Sequence, residues 1–175
     1  HTMVGSVMGS PSYMPPEQAS GRIDKIDHRS DIYSLGAILY SILTLERPFE
    51  GGDARAIVTK VIAGSICPPD RRAPGRDIPR ELSAVAMKCL AKSRSKRYAS
   101  VLELQLDISL YLEGRSVSAA PDTFAQAFVK LVKRNKSVST AIATAVVAIL
   151  VIGSLFTYDN MQKRKVAETA RLVAE

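Results

Sequence analysis

A chain of 175 residues and 19.0 kDa has room for one domain of moderate size and an appendage. Its net charge of +7 is uneven: residues 1–120 carry +3, residues 121–136 another +3 and residues 159–175 only +1, a concentration that suits an anionic membrane surface better than a nucleic-acid face. No interleaving of aromatic and basic residues offers a base-stacking platform, so nucleic acid is set aside as a partner.

Residues 1–14 hold Gly5, Gly9 and Pro11 among hydroxyl residues with no sustained period, and read as a loop. The start at His1, without an initiating methionine or a signal peptide, leads us to expect a fragment whose upstream half is missing. Residues 18–30 are polar with alternating charge, a surface excursion. From Ile32 to Leu43 the apolar side chains leave almost no polar face, which predicts a central helix enclosed on most sides. Asp27 or Ser30 can cap its start, Asp31 places negative charge at the positive end of the dipole, and Pro48 supplies the stop. Gly36 inside this helix costs about 1 kcal/mol against alanine, so close approach of another backbone is expected there.

Three blocks in this order carry a resemblance. Gly9-Ser10-Pro11-Ser12-Tyr13-Met14-Pro15-Pro16-Glu17 is the first, and Arg29-Ser30-Asp31-Ile32-Tyr33-Ser34-Leu35-Gly36 with Arg47-Pro48-Phe49 the second. Cys89-Leu90 through Arg97-Tyr98-Ala99-Ser100 is the third. Together they resemble the second half of a bacterial-type serine/threonine protein kinase over residues 1–113. The resemblance implies that the first block ends the activation segment. Gly9, Ser10, Pro11 and Tyr13 would then meet the protein substrate, and Thr2 and Ser6 would be candidate phosphate acceptors on the regulatory loop. Serine at position 10 keeps the hydroxyl of the family's usual threonine and loses a methyl. Pro15-Pro16-Glu17 departs by one residue from the usual alanine-proline-glutamate. It further implies that Glu17 pairs with Arg97 as a buried anchor of the loop, and that Asp31 accepts hydrogen bonds from the catalytic loop.

Beyond Phe49 the pattern becomes short helices joined by loops. Ile57, Val58, Val61 and Ile62 give one face in residues 54–63, and residues 67–80 hold four prolines and read as a loop. Leu82, Val85, Ala86, Cys89 and Leu90 follow a helical period, as do Val101, Leu104, Ile108 and Tyr111. No stretch reads as a paired strand. The expected fold is all-α: an incomplete C-terminal helical lobe of a protein-kinase-like fold, plus one single-span transmembrane helix. Cys67 and Cys89 have neither metal-ligand spacing nor a pairing pattern, which points to a reduced compartment.

Residues 114–123 read as a linker. Phe124, Phe128, Leu131 and Val132 then share a face while Lys130, Lys133, Arg134 and Lys136 supply charge, a basic amphipathic helix suited to membrane lipid, so that 114–136 forms the juxtamembrane region. Residues 137–158 contain no charge and, at 1.5 Å per residue, reach about 33 Å, enough to cross a bilayer core of about 30 Å. The more basic near flank places the lobe on the cytoplasmic side of the inner or plasma membrane, although Lys163, Arg164 and Lys165 pull the other way. Ala141 and Ala145 offer small-residue spacing for a homodimer through this helix. Residues 159–175 read as the start of a further, extracytoplasmic helix.

Phosphoryl transfer needs a glycine loop over the phosphates, a lysine on them, an acid at the acceptor hydroxyl and magnesium ligands. The sequence has no GxGxxG, no DFG and no VAIK-like strand. His28-Arg29-Ser30-Asp31 mimics the catalytic HRD with one residue inserted, and Gly36 stands five after Asp31, where an asparagine is needed. No catalytic and no metal-binding residue is therefore assigned. ATP and Mg2+ are implied for a full-length parent only, with protein substrates and the missing N-terminal kinase half as partners. The alternatives are a membrane-tethered pseudokinase or scaffold lobe, and a truncated reading frame without a role.

Overall fold

The computed structural model describes residues 10–174, the side chains of 138, 159, 162 and 164–174 apart. Two compact units divide the chain, residues 1–127 and 128–175. Among the described residues the first unit runs through α1 (Pro16–Ala19), α2 (His28–Thr44), α3 (Ala54–Ala63), α4 (Pro69–Arg72), α5 (Arg80–Cys89) and α6 (Val101–Leu112). Tight 3-10 turns at Pro11–Tyr13, Ile23–Lys25 and Arg94–Lys96 lie between them. No strand forms among the described residues; a single bridge joins Val117 and Ala120.

The first unit is built around α2. Asp27 caps it, its Oδ1 accepting from the Arg29 N–H at 2.8 Å, while Ser30 lies inside the helix and turns to other work. Its end comes before Pro48. Leu45 takes a left-handed conformation at φ 60° and its N–H closes on the Ser41 carbonyl. Thr44 Oγ1 then accepts from the Glu46 N–H at 3.1 Å.

Two sides of α2 carry separate cores. Ile32 packs with Val85, Cys89, Tyr98 and Leu104; Tyr33, Ala37 and Tyr40 pack with Phe49, Val61 and Leu90. The third side is bare. Leu35, Ile38, Ile42 and Leu45 follow a 3-4 spacing in line with Asp31 and are all exposed, Ile42 at 62% and Leu45 at 73%. The expectation of a helix enclosed on most sides is thus met on two faces and not on the third, because among the described residues of this unit nothing covers it.

α5 crosses α2 at Gly36. A Cβ placed on Gly36 would lie 2.3 Å from Cys89 Cβ and 3.4 Å from the Ala86 carbonyl oxygen, so hydrogen is the largest group the crossing admits. α3 begins at Asp53, whose Oδ1 accepts from the Ala56 N–H at 2.7 Å, and α6 begins at Ser100, whose Oγ accepts from the Glu103 N–H at 3.3 Å. The proline-rich stretch 67–80 is not all loop. Its prolines start the one-turn helix α4, and Ser83 Oγ donates to Asp70 Oδ1 at 2.9 Å, fastening α4 to α5.

Residues 114–123 do not hang free as a linker. Val117 and Ala120 are buried in the core beside α6, and the Asp107 carboxylate accepts from the Ser118 N–H at 2.7 Å, Ser118 Oγ at 2.8 Å and the Ala119 N–H at 3.1 Å. Tyr98 Oη donates to the same carboxylate at 2.6 Å. Burial pushes the Asp107 carboxyl up, but these four donors outweigh it and hold it below its ordinary range.

Toward the C-terminus come α7 (Phe124–Arg134) and α8 (Lys136–Ala174). The segment expected to begin a separate helix at 159 continues α8 without a break. Within α8, Ser139–Tyr158 is long and apolar enough to cross a membrane, and none of it is buried.

Candidate functional site

The chemistry-bearing residues gather where the loop before α1 meets the start of α2. Pro16 opens α1, and its fixed φ places Glu17 in the first turn, pointing inward. Glu17 is 3% exposed and Arg97, which follows the 3-10 turn at Arg94–Lys96, is 4% exposed. Their ion pair is bidentate: Nη1 donates to Oε1 at 2.7 Å and Nη2 to Oε2 at 2.8 Å across 80 residues of sequence.

Every N–H of the guanidinium is occupied. Nε donates to the Ala91 carbonyl at 2.9 Å, Nη1 also to the Arg29 carbonyl at 3.0 Å and Nη2 to the Lys92 carbonyl at 3.4 Å. The Tyr33 ring lies 4.8 Å from Cζ. Ser30 Oγ completes the carboxylate's shell, donating to Oε1 at 2.7 Å. A buried ion pair is tolerated when its remaining donors and lone pairs are satisfied, as here. Burial pushes the Glu17 carboxyl up, and the bonds from Arg97 and Ser30 more than reverse this, leaving it below its ordinary value. Burial drives the Tyr33 hydroxyl upward, and its oxygen has no hydrogen-bond partner among the described residues.

The segment ahead of Glu17 is pinned along α2. Ser34 Oγ donates to the Tyr13 carbonyl at 3.2 Å and Ser41 Oγ to Tyr13 Oη at 3.3 Å. Met14, Pro15 and Pro16 are buried. Ser10 stands exposed at the head of the Pro11–Tyr13 turn, its side chain making no capping bond, and Pro11 is half-buried. Ser12 is buried, and its Oγ has no partner among the described residues. A cavity of about 400 Å3 bordered by Ser12, Glu46, Phe49, Glu50 and Ile57 lies beside this turn. Thr2, Ser6 and Gly9 lie outside the described residues. Asp31 is exposed in the first turn of α2 and does not join the Glu17–Arg97 cluster, and Gly36 serves the α2–α5 crossing.

The protein kinase domain family model matches residues 1–106. The chain belongs to the protein kinase family. Over 115 residues this kinase chain is 44% identical to a serine/threonine-protein kinase PknD of Protochlamydia amoebophila, a match covering 66% of the chain and 12% of that protein. It is 40% identical over 118 residues to a serine/threonine-protein kinase PknB of Mycolicibacterium smegmatis, covering 67% and 18%. It is 38% identical over 113 residues to a probable serine/threonine-protein kinase PknB of Bifidobacterium longum, covering 65% and 16%. The matched segment thus spans less than a fifth of each of these relatives. The fold is the helical C-terminal lobe of a protein kinase.

The family's chemistry draws on ATP and Mg2+. The one carboxylate at the site's heart, Glu17, is committed to Arg97 through both oxygens.

Two features of the site escape a reading of the sequence. Ser30 looks like a cap but serves Glu17, and no spacing rule distinguishes the two. Asp107 sits in an amphipathic helix where a carboxylate ordinarily faces water, and only the tyrosine nine residues before it hints at a buried partner.

Proposed function

We propose that this chain is the C-lobe portion of a membrane-anchored, ATP-dependent serine/threonine protein kinase, and that it holds the protein substrate. Gly9, Ser10, Pro11 and Tyr13 face the substrate, and Thr2 and Ser6 accept regulatory phosphate that orders the loop. Glu17 and Arg97 moor that loop, Asp31 at the start of α2 accepts hydrogen bonds from the catalytic loop, and Gly36 lets α5 close on α2. ATP and Mg2+ come with the N-terminal half of the parent, which also covers Leu35, Ile38, Ile42 and Leu45. Ser139–Tyr158 crosses the inner or plasma membrane once with the lobe cytoplasmic, α7 rests on anionic lipid, and the span offers a homodimer face.

The buried, fully bonded Glu17–Arg97 pair carries the reading. It fixes the loop's C-terminal end to the lobe while leaving Ser10 exposed to an incoming peptide. The purified 175-residue chain is expected to transfer no phosphate from ATP and magnesium to a protein. Joined to its own ATP-binding half it should do so, and Ser10→Ala should then lower kcat without loss of fold. Transfer by the 175-residue chain alone would refute the assignment of catalysis to the missing half. A joined chain that binds nucleotide but stays inert would favour a scaffold lobe.

A further inference from the structure

Five cationic side chains of the lobe border one opening. Arg22, Lys25, Lys92, Arg94 and Lys96 line a cavity of about 740 Å3 between the turn at Ile23–Lys25 and the turn at Arg94–Lys96. The sequence brings them from two places some seventy residues apart, and Arg94 ties the two together by donating to the Lys25 carbonyl and, at 3.0 Å, to Asp27 Oδ2. Lys92 donates to the Ala63 carbonyl at 3.2 Å. The side chains of Arg22, Lys25 and Lys96 have no hydrogen-bond or ion-pair partner among the described residues.

The one carboxylate that lines the cavity, Glu17, has both oxygens committed to Arg97. Asp27 answers Arg94 alone, and among the described residues no acid pairs with Arg22, Lys25, Lys92 or Lys96. Crowding like charges in a concavity is unfavourable until an anion enters, and walls of low polarisability then strengthen the attraction. The shape selects the anion. A bilayer is flat and engages protruding lysines, whereas a depression of this size admits a side chain together with the peptide that flanks it.

We propose that this cavity binds the phosphate of a phosphorylated serine or threonine on a partner protein. Such a group carries a charge of about −1.5 to −2 and three acceptor oxygens, enough to engage Arg94 and two or three of the lysines and Arg22 together. A carboxylate offers half the charge and two oxygens. The site stands on the geometry of the lobe alone, and holds whether or not the parent transfers phosphate.

The test uses the full 175-residue chain in phosphatidylcholine nanodiscs and a fluorescein-labelled phosphoserine peptide, read by anisotropy against its unphosphorylated twin. The phosphopeptide should bind roughly tenfold or more tightly than the twin, and inorganic phosphate should displace it. The double variant Arg22→Glu/Lys96→Glu should lose that preference while keeping its helical circular dichroism and thermal midpoint. Equal binding of the two peptides, or an unchanged preference in the double variant, overturns the proposal. So does displacement by phosphatidylserine vesicles without displacement by inorganic phosphate, which would give the cations to the bilayer instead.

Discussion

A guanidinium with all its donors occupied is a poor place for substitution. Arg97→Lys keeps the charge but cannot fork onto both oxygens of Glu17 or reach the Ala91, Lys92 and Arg29 carbonyls at once. Glu17→Gln leaves the cation buried and unanswered. Each should destabilise the lobe by about 3–5 kcal/mol, whereas Glu17→Leu/Arg97→Met, which removes both charges, should cost less than the sum of the single changes. Denaturant titration of the four proteins by circular dichroism checks this, and additive losses would mean the pair is not coupled. The pair also sets an acid limit. Because the folded value of Glu17 lies below its ordinary 4.5, its contribution is complete above that pH and is lost as pH falls through the folded value. Asp107 acts in the same sense from 3.8 downward. Thermal midpoints should therefore be flat from neutrality to about pH 5 and fall below it, and Glu17→Gln should flatten the upper part of that fall.

At the scale of elements, the crossing of α2 and α5 is set by one missing methyl. Gly36→Ala should cost roughly 1–3 kcal/mol through overpacking against Cys89. Cys89→Gly in the same chain should recover part of the loss, while Cys89→Ala, which keeps the offending Cβ, should not; equal recovery by both would place the clash elsewhere. The segment 116–120 is a second case. Asp107→Asn removes the charge that gathers Tyr98, Ser118 and Ala119, so limited proteolysis should cut near Ser116–Pro121 in the variant and spare it in the parent chain. These elements also show what the residues reveal. The helical period found α3, α5 and α6 because their apolar residues face the core, and the motif order paired Glu17 with Arg97. Residues 114–123 read as a tether because Ser and Ala dominate them, and the side chains they bury, Val117 and Ala120, are small. No pattern of two residues announces burial.

For the molecule as a whole, the bare side of α2 matters most. A row of Leu35, Ile38, Ile42 and Leu45 on the surface is an association hazard for residues 10–127 in isolation. Ile38→Lys/Ile42→Lys should raise the soluble yield of that lobe and, if the upstream half covers this face, weaken its assembly with that half by tenfold or more. Gel filtration and pull-down measure the two effects, and improved solubility with undiminished assembly would remove α2 from the contact. The all-helical fold was legible because the periods are strong, yet the exposed row was not, since a continuous apolar run looks alike whether its third side is covered or open. One consequence concerns force. Asp107 grips Ser118 and Ala119 on one side and Tyr98 on the other, and Tyr98 adjoins the arginine that moors Glu17. A tug arriving along the chain from Pro121 is stopped at that knot, as a cable clamp spares the plug, and the loop ahead of Glu17 feels nothing until the knot gives way.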